Sequence, residues 1–202
     1  MSLLVLNCNH WIGFHLIQAL LDLEYSVDGV FHEKYDDLTL FFGRNSRFNL
    51  VSSVPNKKYR ACFLIGEHEE MDHIQAEKAF MVDVNHSADA ADMEHLHVVK
   101  TPLLYGEWMP MNERGFYLDG EWISFRSDRF KDEAVYIKNF IECLLQFLRV
   151  DKLQLPASIQ ICSKHAIGPA ENAVYVRENE NKTEKVRDVI KHYEKYQNIN
   201  KF

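Results

Sequence analysis

Asn7-Cys8-Asn9-His10-Trp11-Ile12-Gly13 follows the apolar run Leu3-Leu4-Val5-Leu6 and opens a segment with helical spacing, the setting in which a chain can cradle a phosphate. A helix N-terminus offers unpaired backbone N–H groups and positive potential to an anion, and glycines in the turn let the backbone close on it. Only Gly13 remains of such glycines, where a helix must pack on a strand without a Cβ between them. Asn7 tolerates a positive φ better than most residues, so the turn itself can still form. His10 puts an imidazole where a phosphate needs bare backbone. Asn7, Asn9, His10 and Gly13 are therefore the candidate binding positions of an altered site. His10 is the most capable chemically: protonated, it bonds a phosphate or carboxylate; neutral, it plugs the site by stacking with Trp11 or Trp108.

Ten histidines and four cysteines raise the question of metal or thiol chemistry. His68 and His73 are five residues apart, so on a helix they diverge instead of converging on one ion. His95 and His97 would share one side of a strand with His86 near in sequence, yet no third and fourth ligand is specified. No metal site is expected. Cys8, Cys62, Cys143 and Cys162 form no Cys-x-x-Cys pair. Cys62 and Cys143 lie in apolar segments and read as buried and inert, Cys8 and Cys162 lie near strand ends and read as accessible, and none has a histidine partner that would make it a nucleophile.

The elements that position these residues alternate. Ile12, Leu16, Leu20 and Leu23 lie on one helical face, and Val27 to Phe31 reads as the next strand. Phe48–Ser53, Arg60–Ile65, Ala79–Val84 and Leu96–Val99 read as further strands, with helices expected over Asp36–Phe42, Glu67–Lys78 and Ser87–Glu94. Asp119-Gly120 between two apolar stretches predicts a hairpin. Asp132–Leu148 carries a broad apolar stripe and reads as one long helix. Ile159–Cys162 and Ala173–Val176 read as strands, and a final helix starts near Asn181 with Glu184 completing a capping box. Val186, Val189, Ile190 and Tyr193 give that helix an apolar face, set against the sheet or against another subunit. This order predicts an α/β, Rossmann-like fold: a mostly parallel sheet with helices on both faces and a small hairpin-containing C-terminal portion. One domain spans 1–202, with 107–130 and 150–202 read as a remnant of a small substrate lobe. A crevice is expected at the carboxyl ends of the strands, where Asn7, Asn9, His10, His32, Glu33, Gly66, Glu67, His68, Tyr105 and Glu107 all follow strands. Tyr105, Trp108, Tyr117 and Trp122 read either as core or as a ligand platform.

Three stretches resemble the extended short-chain dehydrogenase/reductase family, the NAD-dependent epimerases and dehydratases. Asn9-His10-Trp11-Ile12-Gly13-Phe14-His15-Leu16 stands at the family's glycine turn; Lys100-Thr101-Pro102-Leu103-Leu104-Tyr105-Gly106-Glu107 is similar to its Arg-x-x-x-Val-Tyr-Gly-Pro segment; Ala134-Val135-Tyr136-Ile137-Lys138-Asn139-Phe140 is similar to its Val-Tyr-Val-x-Asp-Val segment. The resemblance implies an NAD(P) site with an acidic residue for the adenosine ribose at the end of the second strand, where His32-Glu33 stands. It also implies a Tyr with Lys four residues later, and none of the nine tyrosines has one. The helix that would carry that pair has no room between the strands at 79–84 and 96–99. Ser87 falls near the family's catalytic hydroxyl, but without a Tyr and Lys beside it, it reads first as a helix N-cap. That helix commonly forms the family's dimer interface, so its loss removes the usual ground for a homodimer without excluding one.

The net charge of −7 without a long Lys/Arg block argues against nucleic acid. No signal peptide and no apolar run near 20 residues is present, which with the unpaired cysteines predicts a cytoplasmic protein with no membrane partner. The expected function is a catalytically silent relative of the epimerases and dehydratases with no cofactor, binding a small ligand or a protein. The alternative is an oxidoreductase or epimerase that uses NAD(P) or a sugar nucleotide through non-standard residues, with His10, His86 or Tyr105 as proton donor.

Overall fold

A computed structural model describes residues 2–31, 41–66, 74–84, 96–150, 154–165, 172–177 and 181–196. The chain runs β1 (Ser2–Leu6), α1 (Trp11–Asp22), β2 (Ser26–Val30), β3 (Phe48–Val51), β4 (Ala61–Ile65), β5 (Ala79–Asp83) and β6 (Leu96–Lys100). It continues through β7 (Leu103–Tyr105), β8 (Gly115–Leu118), β9 (Glu121–Ser124), α2 (Asp128–Glu133), β10 (Ala134–Tyr136) and α3 (Ile137–Gln146). It closes with β11 (Ser158–Ser163), β12 (Ala173–Val176) and α4 (Lys182–Tyr196). Eight strands form one sheet in the order β12-β11-β6-β5-β4-β1-β2-β3, and every neighbouring pair is parallel. The order reverses between β1 and β4, so the crevice of this sheet opens at their carboxyl ends, beside Asn7 and Gly66.

Alternation of side chains divides the core in two. Leu3, Val5, Phe63 and Ile65 face one way and pack with Ile12 and Leu16 of α1 and Phe140 and Leu144 of α3. Leu4, Leu6 and Leu64 face the other way, against Tyr59, Val54 and Ile74. Among the described residues that second face is covered by irregular chain. The helices expected over 67–78 and 87–94 lie wholly or largely outside the described residues; the described end of the first, 74–78, is irregular and carries a parallel bridge from Ala76 to Tyr59. Of the helix expected over 36–42, only 41 and 42 are described, and they form a turn. A buried carboxylate, Asp28 in β2, sits under this face and accepts the Tyr59 hydroxyl at 2.7 Å while pairing with Lys57 at 2.7 Å. A buried acid is tolerable only with such partners.

The helix expected over 132–148 is two helices. Ala134, Val135 and Tyr136 leave the helical conformation and pair in parallel with Leu103, Leu104 and Tyr105. All three are buried, so the extended stretch trades three helical residues for a buried ladder and a covered β-branched side chain. α3 then ends under Lys78, whose Nζ donates to the carbonyls of Phe147 at 3.1 Å, Leu148 at 3.2 Å and Val150, capping the negative end of the helix. The hairpin forms as its sequence predicts: Asp119 and Gly120 have φ of 49° and 80°, the positive pair that a tight two-residue turn requires. Asn181 precedes α4, and its side chain accepts the Thr183 N–H at 3.0 Å. α4 packs on its own chain through buried Val189 and through His192 and Tyr196, whose rings lie 4.4 and 5.2 Å from Trp108. Among the described residues no helix is long and apolar enough to cross a membrane.

Candidate functional site

The turn after β1 is tied down by its own residues. Asn7 has φ of 55°, supplying the left-handed corner, and its Nδ2 donates to the Ile65 carbonyl at 2.8 Å, tying the end of β1 to the end of β4. Gly13 is fixed by space: a Cβ there would lie 2.9 Å from the Asn7 carbonyl oxygen and 3.1 Å from that of Cys8. The corner between them belongs to His10, the N-cap of α1, whose Nδ1 accepts the Ile12 N–H at 3.2 Å. That N–H belongs to the set a helix N-terminus presents to an anion, and the imidazole has taken it. A ring nitrogen that accepts must be unprotonated, and burial agrees, pushing the His10 pKa down to about 4. His10 is therefore neutral near pH 7 and leans on Trp11, the ring centroids 6.1 Å apart. Trp108 meets His192 and Tyr196 of α4 instead of His10.

The other candidates are dispersed. Gly66 has φ of 72° with open space around it, and it ends β4 with its N–H on the Val82 carbonyl at 3.0 Å. Asn9 is partly buried beside His10. Tyr105 is not on the rim: it is 2% exposed and packs on Phe130 and Tyr136, because β7 pairs side by side with β10. His32, Glu33, Glu67, His68, His86 and Ser87 lie outside the described residues. Cys8 and Cys162, expected to be accessible, are buried like the other two cysteines, since the turn at Asn7 folds over one and the end of β11 is covered at the other. Burial pushes the Cys62 thiol up to about 12 and Cys143 to about 11, against thiolate chemistry. Of the aromatic group, Tyr105 and Trp108 are core, while Tyr117 and Trp122 form an exposed edge-on pair across the hairpin. Among the described residues, no three His, Cys, Asp or Glu side chains are placed to share an ion. Beside the turn a cavity of about 220 Å³ lies between Trp11 and Ile12 of α1, Val84, Thr101 and the hairpin residues Phe116 and Leu118. It is smaller than the roughly 300–1,000 Å³ of typical small-molecule pockets.

The sequence placed Glu107 on the crevice rim but did not show the polar cluster it joins. The Tyr136 hydroxyl donates to both carboxylate oxygens of Glu107, at 2.7 and 2.9 Å, and Lys138 stands 3.9 Å away. Burial raises the Glu107 carboxyl, but the hydrogen bond from Tyr136 and the charge of Lys138 outweigh it and hold the group below the usual carboxylate range. Burial first, then Glu107, drives the Tyr136 phenol well above its ordinary value. The Glu107 carbonyl meets His15 Nε2 of α1 at 3.0 Å, and His15, lowered chiefly by burial, is held off the charged form. The available signal was the pairing of the two motif segments: Tyr105 lies in register with Tyr136, and Gly106 follows because a Cβ there would run into the Ile137 side chain. The cluster fastens α1 to the segment after β7.

No protein-family model and no curated protein matches this sequence. Solved structures do. dTDP-glucose 4,6-dehydratase from Bacillus anthracis, solved in complex with NAD, superposes with a TM-score of 0.61 at 10% identity over 98% of both chains. This is an epimerase/dehydratase-like short-chain dehydrogenase/reductase fold. A UDP-galactose 4-epimerase matches this fold at a TM-score of 0.59 and 11% identity over 96% of this chain and 99% of the other. The UDP-glucose 4-epimerase of Thermotoga maritima with UDP-glucose matches at 0.55 and 10% over 98% and 100%. Within the epimerase/dehydratase-like fold seen here, the segment between β5 and β6, residues 84–95, contains neither tyrosine nor lysine.

Proposed function

We propose that this chain is a catalytically silent version of the epimerase/dehydratase scaffold, one that holds a small ligand or a protein partner without NAD(P). The observation that carries the proposal is the His10 imidazole on the Ile12 N–H, which spends the helix N-terminus on the chain's own side chain. The missing Tyr-Lys pair supports it, because hydride exchange at a sugar carbon needs a phenol of lowered pKa and the tyrosines at the motif segments are buried in Tyr105 and raised in Tyr136. The alternative, NAD(P)- or sugar-nucleotide-dependent chemistry, draws on neighbours solved with NAD and with UDP-glucose.

Thermal unfolding separates the two. With NADH, NADPH or UDP-glucose at millimolar concentration the melting temperature is expected to stay unchanged. A ligand at 100 times its dissociation constant would stabilise the fold by about 2.7 kcal/mol, which raises the midpoint by several degrees in a chain of this size. A saturable rise of that order with any of the three favours the alternative.

A further inference from the structure

The chain is acidic, yet one groove on it is strongly basic. It runs between α4, the strand β9 with the start of α2, and the end of β11, and encloses about 1,450 Å³. Arg114, Arg126, Lys131, Lys164, Lys182, Arg187 and Lys191 line it against two acids, Glu113 and Glu194. Asp128 and Asp188 pair with Lys131 and Lys191, so a local excess of three positive charges (seven less four) sits on a molecule of net charge −7. Part of that charge is committed: Lys182 donates to the Lys131 and Ala134 carbonyls at 2.8 and 2.6 Å, and Lys131 pairs with Asp128 at 2.7 Å. Arg114, Arg126, Lys164 and Arg187 are exposed and make no ion pair with any described residue. Four unneutralised cations around one concavity repel one another, a cost that an anionic occupant removes. The floor is apolar: Phe125, Val186 and Ile190 are partly buried there above Phe130.

We infer that this groove docks an acidic, amphipathic segment of a partner protein, its carboxylates meeting Arg126, Arg187, Arg114 and Lys164 and its apolar side chains meeting Phe125, Val186 and Ile190. The apolar floor favours an amphipathic peptide over duplex nucleic acid, whose backbone presents phosphate and sugar but no apolar side chains to such a surface. None of these residues belongs to the turn at His10. The inference takes the protein-partner form of the reading above, and it stands or falls apart from the question of nucleotide binding, which the melting experiment answers by itself.

The test is fluorescence anisotropy with the full chain and a fluorescein-labelled 16-residue peptide of alternating Glu/Asp pairs and Leu/Phe. Saturable binding is expected that weakens about tenfold or more in the double variant Arg126→Glu/Arg187→Glu, whose melting temperature should match that of the parent since both side chains are exposed and unpaired. A 16-residue all-glutamate peptide is expected to bind about tenfold more weakly, having nothing to place on the floor. The inference is overturned by no binding at 100 times the protein concentration that saturates a positive control, by binding that the double variant leaves intact, or by a labelled single-stranded oligonucleotide of equal charge binding more tightly than the peptide. It is overturned equally by a self-association of the chain that the double variant abolishes, which would give the groove to a second copy.

Discussion

Replacing Gly13 by valine is expected to destabilise the protein by about 3 kcal/mol or more, read as a lowered urea midpoint with an unchanged slope. Glycine in a helix is ordinarily a cost, and alanine would recover up to about 1 kcal/mol by propensity alone. Here the sign reverses, because the first added carbon already lies 2.9 Å from the Asn7 carbonyl oxygen and 3.1 Å from that of Cys8, and both are backbone atoms that cannot rotate away. Relief requires α1 to lift from the turn, which would pull His15 from the Glu107 carbonyl and Ile12 and Leu16 from the sheet. Valine adds two further methyl groups to the same space. A variant within about 1 kcal/mol of the parent would show that α1 does not pack against the turn at this distance.

The second large effect is a dependence on pH that His10 imposes. Its pKa is about 4 in the folded chain against 6.5 for an ordinary histidine. Above about pH 6.5 both folded and unfolded forms are neutral and nothing is lost. Between 6.5 and 4 the unfolded chain takes up a proton that the folded chain refuses, so stability falls as pH falls, by up to about 3 kcal/mol from this group. His15, lowered by burial, pushes in the same direction. Asparagine caps helices as well as any residue and does not titrate, so His10→Asn keeps an acceptor for the Ile12 N–H and removes the proton. Urea unfolding at pH 7 and pH 4.5 is expected to show the parent losing about 2–3 kcal/mol more than the variant over that interval. Equal losses would mean that the imidazole is solvated and does not cap the helix.

Local signals explain what the sequence showed. Leu3 to Leu6 with the helical spacing of Ile12, Leu16 and Leu20 marked β1 and α1, and Asp119-Gly120 marked the hairpin, because each depends on residues within one turn or strand of one another. The part that stayed hidden is non-local. Val135 and Tyr136 continue the helical stripe of their neighbours, so nothing nearby reports that they leave the helix to pair with β7. Glu107 and Tyr136 are 29 residues apart, and their bond follows from that pairing. Tyr105 follows a strand, which suggested a rim position, but the same β7–β10 pair buries it. At the turn the residue types were informative: Asn7 takes the positive φ and Gly13 the close approach that their chemistry implied. What the types did not show was the direction of the His10 ring, which caps its own helix.

The backbone amides of Ile12 and Gly13 report most directly on whether this helix start still receives a nucleotide. In a ¹⁵N-labelled sample titrated with NADH and with UDP-glucose to millimolar concentration, their resonances are expected to stay in place, since the Ile12 N–H is already bonded to His10. Saturable shifts of both amides, with His10 displaced from its cap, would contradict the account.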